Sequence, residues 1–131
     1  MDGRAARGLR AAAWLSAALL AVLSLIPGDA QVRTPAPKEV EHFVAYAGTV
    51  ALFAAAYGRR ALIPVLAGSW AAAVGFEALQ TFIPGRGAHA TDAAASAAGA
   101  LAGWPLGIMG GSVGRRLLAR RRRPGGVRRT G

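Results

Sequence analysis

The chain has no cysteine, so it can hold neither a disulfide framework nor a thiolate metal centre. It is also short of acid. Asp and Glu together number six, against 16 Lys and Arg, for a formal net charge of +10. Aromatic residues make up only 7% of the 131 residues. None of them interleaves with the arginines between Arg115 and Arg129, which excludes the stacking platform that single-stranded nucleic acid requires. No glycine-rich phosphate loop and no nucleophile motif is present, and Ser96 carries no sign of activation. No cofactor is implied, and no catalytic residue can be assigned by motif.

Apolar sequence is abundant. Hydrophobic residues reach 53% of the chain, and the mean hydropathy of +0.34 is held down by clustered arginine. Four apolar stretches run over about 11–26, 40–57, 61–82 and 93–113. The first, AAAWLSAALLAVLSLI, is near the lower limit of about 17 residues for a span. The other three approach the roughly 20 residues that cross about 30 Å of hydrocarbon. Within lipid such stretches must be helical, because each backbone polar group needs an internal partner. The breaks between them are IPGDAQVRTPAPKE, GRR at Gly58–Arg60, and PGRGAHAT. Pro64 falls in a first helical turn, where its missing N–H is harmless. Pro105 falls inside the fourth helix, where a kink is expected. The predicted class is therefore an all-α membrane protein, a bundle of four transmembrane helices over residues 1–114. A basic, disordered tail is expected over 115–131.

The first stretch also reads as a signal peptide, with Arg4, Arg7 and Arg10 as its basic region and GDA before Gln31 as a cleavage site. With three further spans behind it, retention as a helix is the expectation. Arginine sets the orientation. Arg4, Arg7 and Arg10 precede helix one, Arg59 and Arg60 join helices two and three, and eight arginines follow helix four. The positive-inside rule places both termini in the cytoplasm and the loops at about 27–39 and 84–91 outside. The tail then serves as a topological anchor against anionic lipid rather than as a nucleic-acid ligand.

This topology collects the polar side chains at one end. Lys38, His42 and Tyr46 recur at four-residue spacing on one helical face, with Thr49 extending it. Glu77 and Gln80 close helix three, Arg86 and His89 lie in the loop, and Asp92 and Ser96 open helix four. Glu77 stands five residues before Phe82, roughly 7 Å below the helix end at 1.5 Å per residue. A charge within a span costs on the order of 2.5–3.5 kcal/mol, so Glu77 needs a partner or a cavity. Arg86, His42 and Lys38 are the candidates, and a polar pocket between helices two, three and four is the expected result. The alternative is that Glu77 and Gln80 stitch helices together and Asp92 caps helix four. His42, His89, Glu77 and Asp92 lack tight ligand spacing, so no metal site is expected. Gly99, Gly103, Gly107 and Gly111 form a GxxxG ridge suited to close packing against helix two or three, or to a homodimer face.

The stretch from Lys38 to Gly103 resembles the VanZ-like family of small bacterial membrane proteins, whose founding member is linked to teicoplanin resistance. The resemblance lies in KEVEHFVAY, EALQTFIPGRGAHATD and DAAASAAGALAG, taken in that order. It covers about half the chain. By position it places the family's polar residues on His42, Tyr46, Glu77, Gln80, Arg86 and Asp92. Two positions depart from the pattern: Lys38-Glu39 reverses the family's Asp-Lys, and Ser96 stands where the family has Asn. The resemblance implies a multi-pass protein of the bacterial cytoplasmic membrane with an envelope role. Its expected ligand is a lipid-linked precursor or a glycopeptide. An envelope enzyme using Glu77 and His42 as acid and base, with Arg86 stabilising an anion, is the alternative. A structural partner protein is the third.

Overall fold

A computed structural model describes residues 3–31 and 34–121. Among these the chain is built from four long helices: α1 (Gly3–Leu25), α2 (Lys38–Tyr57), α3 (Leu62–Gln80) and α4 (Ala90–Arg121). Short 3-10 turns occupy Gly28–Ala30 and Arg59–Ala61. Each long helix contains a segment long and apolar enough to cross a membrane, as expected of a multi-pass membrane protein.

The helix ends follow local chemistry. α1 starts at Gly3 rather than near 11, because Ala, Arg and Leu are good helix formers and no proline intervenes. α2 starts directly after Pro37, whose extended backbone precedes the helix and whose carbonyl accepts the N–H groups of Val40 and Glu41. Gly58, with φ of 72°, turns the chain out of α2. α3 stops at Gln80, two residues short of the expected end, and tight turns carry the chain to Pro84. α4 begins at Ala90, where the carbonyl of His89 accepts N–H groups from Asp92 and Ala93. Asp92 therefore sits within the first turn and is not the cap. Pro105 lies within α4, which continues past the expected end at 113 to Arg121. Residues 115–121, expected as disordered tail, are helical. Arg33, Arg122, Arg123, Arg128 and Arg129 lie outside the described residues.

The packing is the reverse of a water-soluble bundle. The buried apolar residues are Ala13, Tyr46, Val50, Ala54, Ala73 and Ala100. Large apolar side chains such as Ile63, Leu15 and Phe82 point outward, with Phe82 84% exposed. Between lipid and protein a leucine gains little from burial, so small residues, which let backbones approach, occupy the helix contacts.

The most extensive helix pair is α2 with α4. The two run parallel in a fixed register. A Cβ placed on Gly99, Gly103 or Gly107 would run into the carbonyl oxygen of Phe43, Ala47 or Ala51 respectively. The glycine ridge is thus occupied within the chain by α2. Gly111, the fourth member, is half-buried. α1 lies antiparallel on α2 and is fixed by Trp14 Nε1–H donating to Tyr57 Oη at 2.8 Å and by the Ser16–Thr49 hydroxyl pair at 2.8 Å. Phe53 meets Trp14 edge-on at 5.2 Å, stacks on Tyr57 at 5.9 Å, and Arg10 covers the Tyr57 ring.

Candidate functional site

α1 and α3 end, and α2 and α4 begin, at the same end of the bundle. The parallel register of α2 and α4 carries on into this end as polar pairs. Lys38 Nζ forms an ion pair with Asp92 Oδ2, and His42 Nδ1 lies 3.2 Å from Ser96 Oγ. His42 Nε2 stands 4.0 Å from the same Asp92 oxygen. Asp92 Oδ2 is thus a buried oxygen in ionic contact with the Lys38 ammonium. Asp92 and Ser96 are each 1% exposed.

α3 brings Glu77 to this cluster. Its Oε2 accepts the His89 backbone N–H at 2.8 Å, and its Oε1 is buried without a hydrogen-bond partner. Glu77, His42 and Asp92 each present one ligand atom within 4.8 Å of the other two. These three residues are 35 and 15 positions apart in sequence, so no local spacing reveals the convergence. The helix register creates it.

Gln80 and Arg86 do something different. Gln80 Nε2 donates to the Ser24 carbonyl at 3.0 Å, and its Oε1 is buried without a hydrogen-bond partner. Arg86 Nη1 donates to the carbonyls of Leu23 and Ile26 at 3.2 and 3.0 Å. Gln31 adds a further donor to Leu23. The last carbonyls of a helix have no partner inside it, and cationic donors suit the negative end of its dipole. Both residues, expected as ligand contacts, are thus engaged in capping α1. A backbone bond from Gly28 to the Pro84 carbonyl at 3.2 Å fastens the two loops together. Gly28 approaches Gly85 so closely that a Cβ would collide with its carbonyl.

Around this end the structure opens two connected spaces. A polar cavity of about 190 Å³ is walled by Lys38, His42, Arg86, Glu41, Thr34 and Gln31, with Ala36. An apolar groove of about 560 Å³ runs between α1 and α2, lined by Leu20, Leu23, Val40 and Val44, with Tyr46 in its wall. The two share Gln31, Thr34, Ala36, Glu41, His42 and Arg86. The open space is therefore bounded by α1, α2 and the two loops, while Asp92, Ser96, Glu77 and Gln80 are buried between the helices. Gln31, Thr34 and Glu41 were not singled out from sequence. Glu41 accepts the Thr34 N–H at 3.1 Å and so folds the loop onto α2. An acid three residues after Lys38, preceded by TPAP, is the signal that could have marked this wall.

Comparison with protein-family models, with curated proteins and with solved structures finds no match.

Proposed function

We propose that the chain is a VanZ-like protein of the bacterial cytoplasmic membrane that binds an amphiphilic, anionic envelope component at the polar end of its bundle. The observation that carries this reading is the continuity of the apolar groove with the polar cavity. An isoprenoid or acyl chain fits the lipid-facing groove between α1 and α2. A phosphate suits the cavity wall, which carries the Lys38 ammonium and the positive charge of Arg86, whose guanidinium also holds the end of α1. The arginine distribution favours this end as the outward one, because the basic segments lie at the opposite end. Ser96 is fully enclosed.

The test is retention of a defined probe by the purified full chain in nanodiscs. Undecaprenyl phosphate is compared by native mass spectrometry with undecaprenol, the same chain without the anion. Stronger retention of the phosphate, lost in Val44→Trp, is expected; Val44 is exposed in the groove, so the larger side chain blocks it without disturbing the core. Equal retention of both lipids, or full retention in Val44→Trp, would sink the reading. VanZ-like membership further predicts reduced teicoplanin susceptibility in a susceptible host that expresses the chain. Unchanged susceptibility at confirmed membrane levels would remove that part.

A further inference from the structure

Two acidic side chains are buried at the polar end. Glu77 and Asp92 are 7% and 1% exposed, and Lys38 forms an ion pair with Asp92. Its side chain is one-third exposed and starts at the first residue of α2, so it is free to swing toward solvent. Buried carboxyl groups call for hydrogen-bonded or cationic partners.

Hydrogen bonds hold His42 and Glu77 each by one atom and leave the other. His42 is held through Nδ1 by Ser96, which leaves Nε2 facing Asp92. Glu77 is held through Oε2 by the His89 N–H, which leaves Oε1 buried with no hydrogen-bond partner. Asp92 Oδ2 is in ion contact with Lys38 Nζ and stands 4.0 Å from His42 Nε2. Metal-binding imidazoles and carboxylates are oriented in this way, by an outer hydrogen bond on the atom that does not bind.

We propose that His42, Glu77 and Asp92 form a binding site for a divalent first-row transition metal ion of the zinc class. One imidazole nitrogen with two carboxylate oxygens is a mixed donor set, better matched to zinc, cobalt or iron than to calcium or magnesium, which prefer all-oxygen shells. Bonds of about 2.0–2.2 Å place adjacent ligand atoms roughly 3–3.5 Å apart. The 4.8 Å envelope is wider than that range, so binding would draw the three groups together by about 1–2 Å. Three protein ligands leave a coordination position open. His42 forms part of the wall of the polar cavity, which gives the ion an entry path. Binding displaces Lys38 from Asp92, and the ion's two charges replace its one. The site requires nothing from the lipid-binding reading.

The full chain, purified in detergent and stripped with chelator, is titrated with cobalt(II), followed by its visible ligand-field absorption, and then with zinc. One cobalt per chain, displaced by zinc, is expected. Affinity falls at least tenfold in Glu77→Gln and in His42→Gln. Because those variants could unfold, the wild type is also labelled with nitrogen-15 in its two histidines and observed by NMR. Zinc should move the ring nitrogens of one histidine, and the same shift should persist in His89→Gln, which retains its backbone N–H. The proposal is overturned if the wild type binds no stoichiometric cobalt. It is equally overturned if folded Glu77→Gln binds as tightly as wild type, or if the zinc shift vanishes in His89→Gln.

Discussion

Gly103 of α4 rests directly on the carbonyl oxygen of Ala47 in α2, with no room between them for even a methyl group. Gly99 and Gly107 repeat the contact one turn away on either side, against Phe43 and Ala51. This three-point register sets the height of α4 against α2. It therefore decides that Asp92 meets Lys38 and that Ser96 meets His42. The polar site is a consequence of the helix packing that begins one turn from it.

Gly103→Leu should consequently abolish the native α2–α4 pairing, while Gly110→Leu should be tolerated, since a Cβ at Gly110 meets nothing within 4 Å. Overpacking a close helix contact costs typically 1–3 kcal/mol, and more against a fixed backbone carbonyl than against a flexible side chain. Thermal unfolding in detergent, followed by circular dichroism, separates the two. Equal melting temperatures would show that the ridge does not set the register.

The Lys38–Asp92 pair should respond asymmetrically when measured in chelator. Lys38→Met leaves the Asp92 carboxylate buried without its counter-charge. Asp92→Asn leaves a lysine that is already one-third exposed and rehydrates easily. Removing one partner of a fully buried pair costs about 3–5 kcal/mol, and the exposure of Lys38 lowers this to about 1–3 kcal/mol. Asp92→Asn should cost less than half as much. The reverse order in chemical denaturation would mean that Asp92 is neutral in the native bundle.

Much of this arrangement was legible before any coordinates. Four helices, their order and the gathering of polar residues at one end follow from apolar length, from prolines at the breaks and from the position of arginine. The glycine period marked a close helix contact within the bundle, although it did not separate helix two from helix three as the partner and left a homodimer face as the alternative. The helix ends were less legible, since alanine and arginine continue a helix well beyond the strictly apolar segment at both α1 and α4. The roles of Gln80 and Arg86 were hidden for a different reason. A side chain that caps a helix distant in sequence has the same signature as one that binds a ligand. The triad of His42, Glu77 and Asp92 was hidden because its spacing exists only once the α2–α4 register is fixed.

Ser16 and Thr49 form the hydroxyl pair that joins α1 to α2 near mid-bundle. Interhelical hydrogen bonds in membrane proteins are worth about 0.6 kcal/mol on average, because the separated helices also find partners. Ser16→Ala and Thr49→Val should therefore each destabilise the bundle by under about 1 kcal/mol, and the double variant should cost less than their sum. A double-mutant cycle on unfolding free energy measures the coupling. Strict additivity would show that the two hydroxyls do not interact in the native state.

Gln80 offers the sharpest separation of a structural role from a binding role. Its Nε2 serves the Ser24 carbonyl, and the side chain is completely buried. Gln80→Leu keeps the approximate volume but leaves that carbonyl without this donor, at a cost of about 1–3 kcal/mol. The loss is local to the end of α1, so hydrogen exchange should accelerate over the last turn of α1 and change little in α4. Arg86→Lys should act on the same turn. A guanidinium donates to Leu23 and Ile26 together, whereas an ammonium on a shorter, mobile stem cannot hold that fork-like geometry. Charge is conserved in this change, so a role for Arg86 purely as an electrostatic ligand contact predicts unaltered exchange at α1. Accelerated exchange in both variants, confined to the same residues, identifies the pair as the cap that holds α1 against the loops. Exchange unaltered in both would show that neither side chain caps α1.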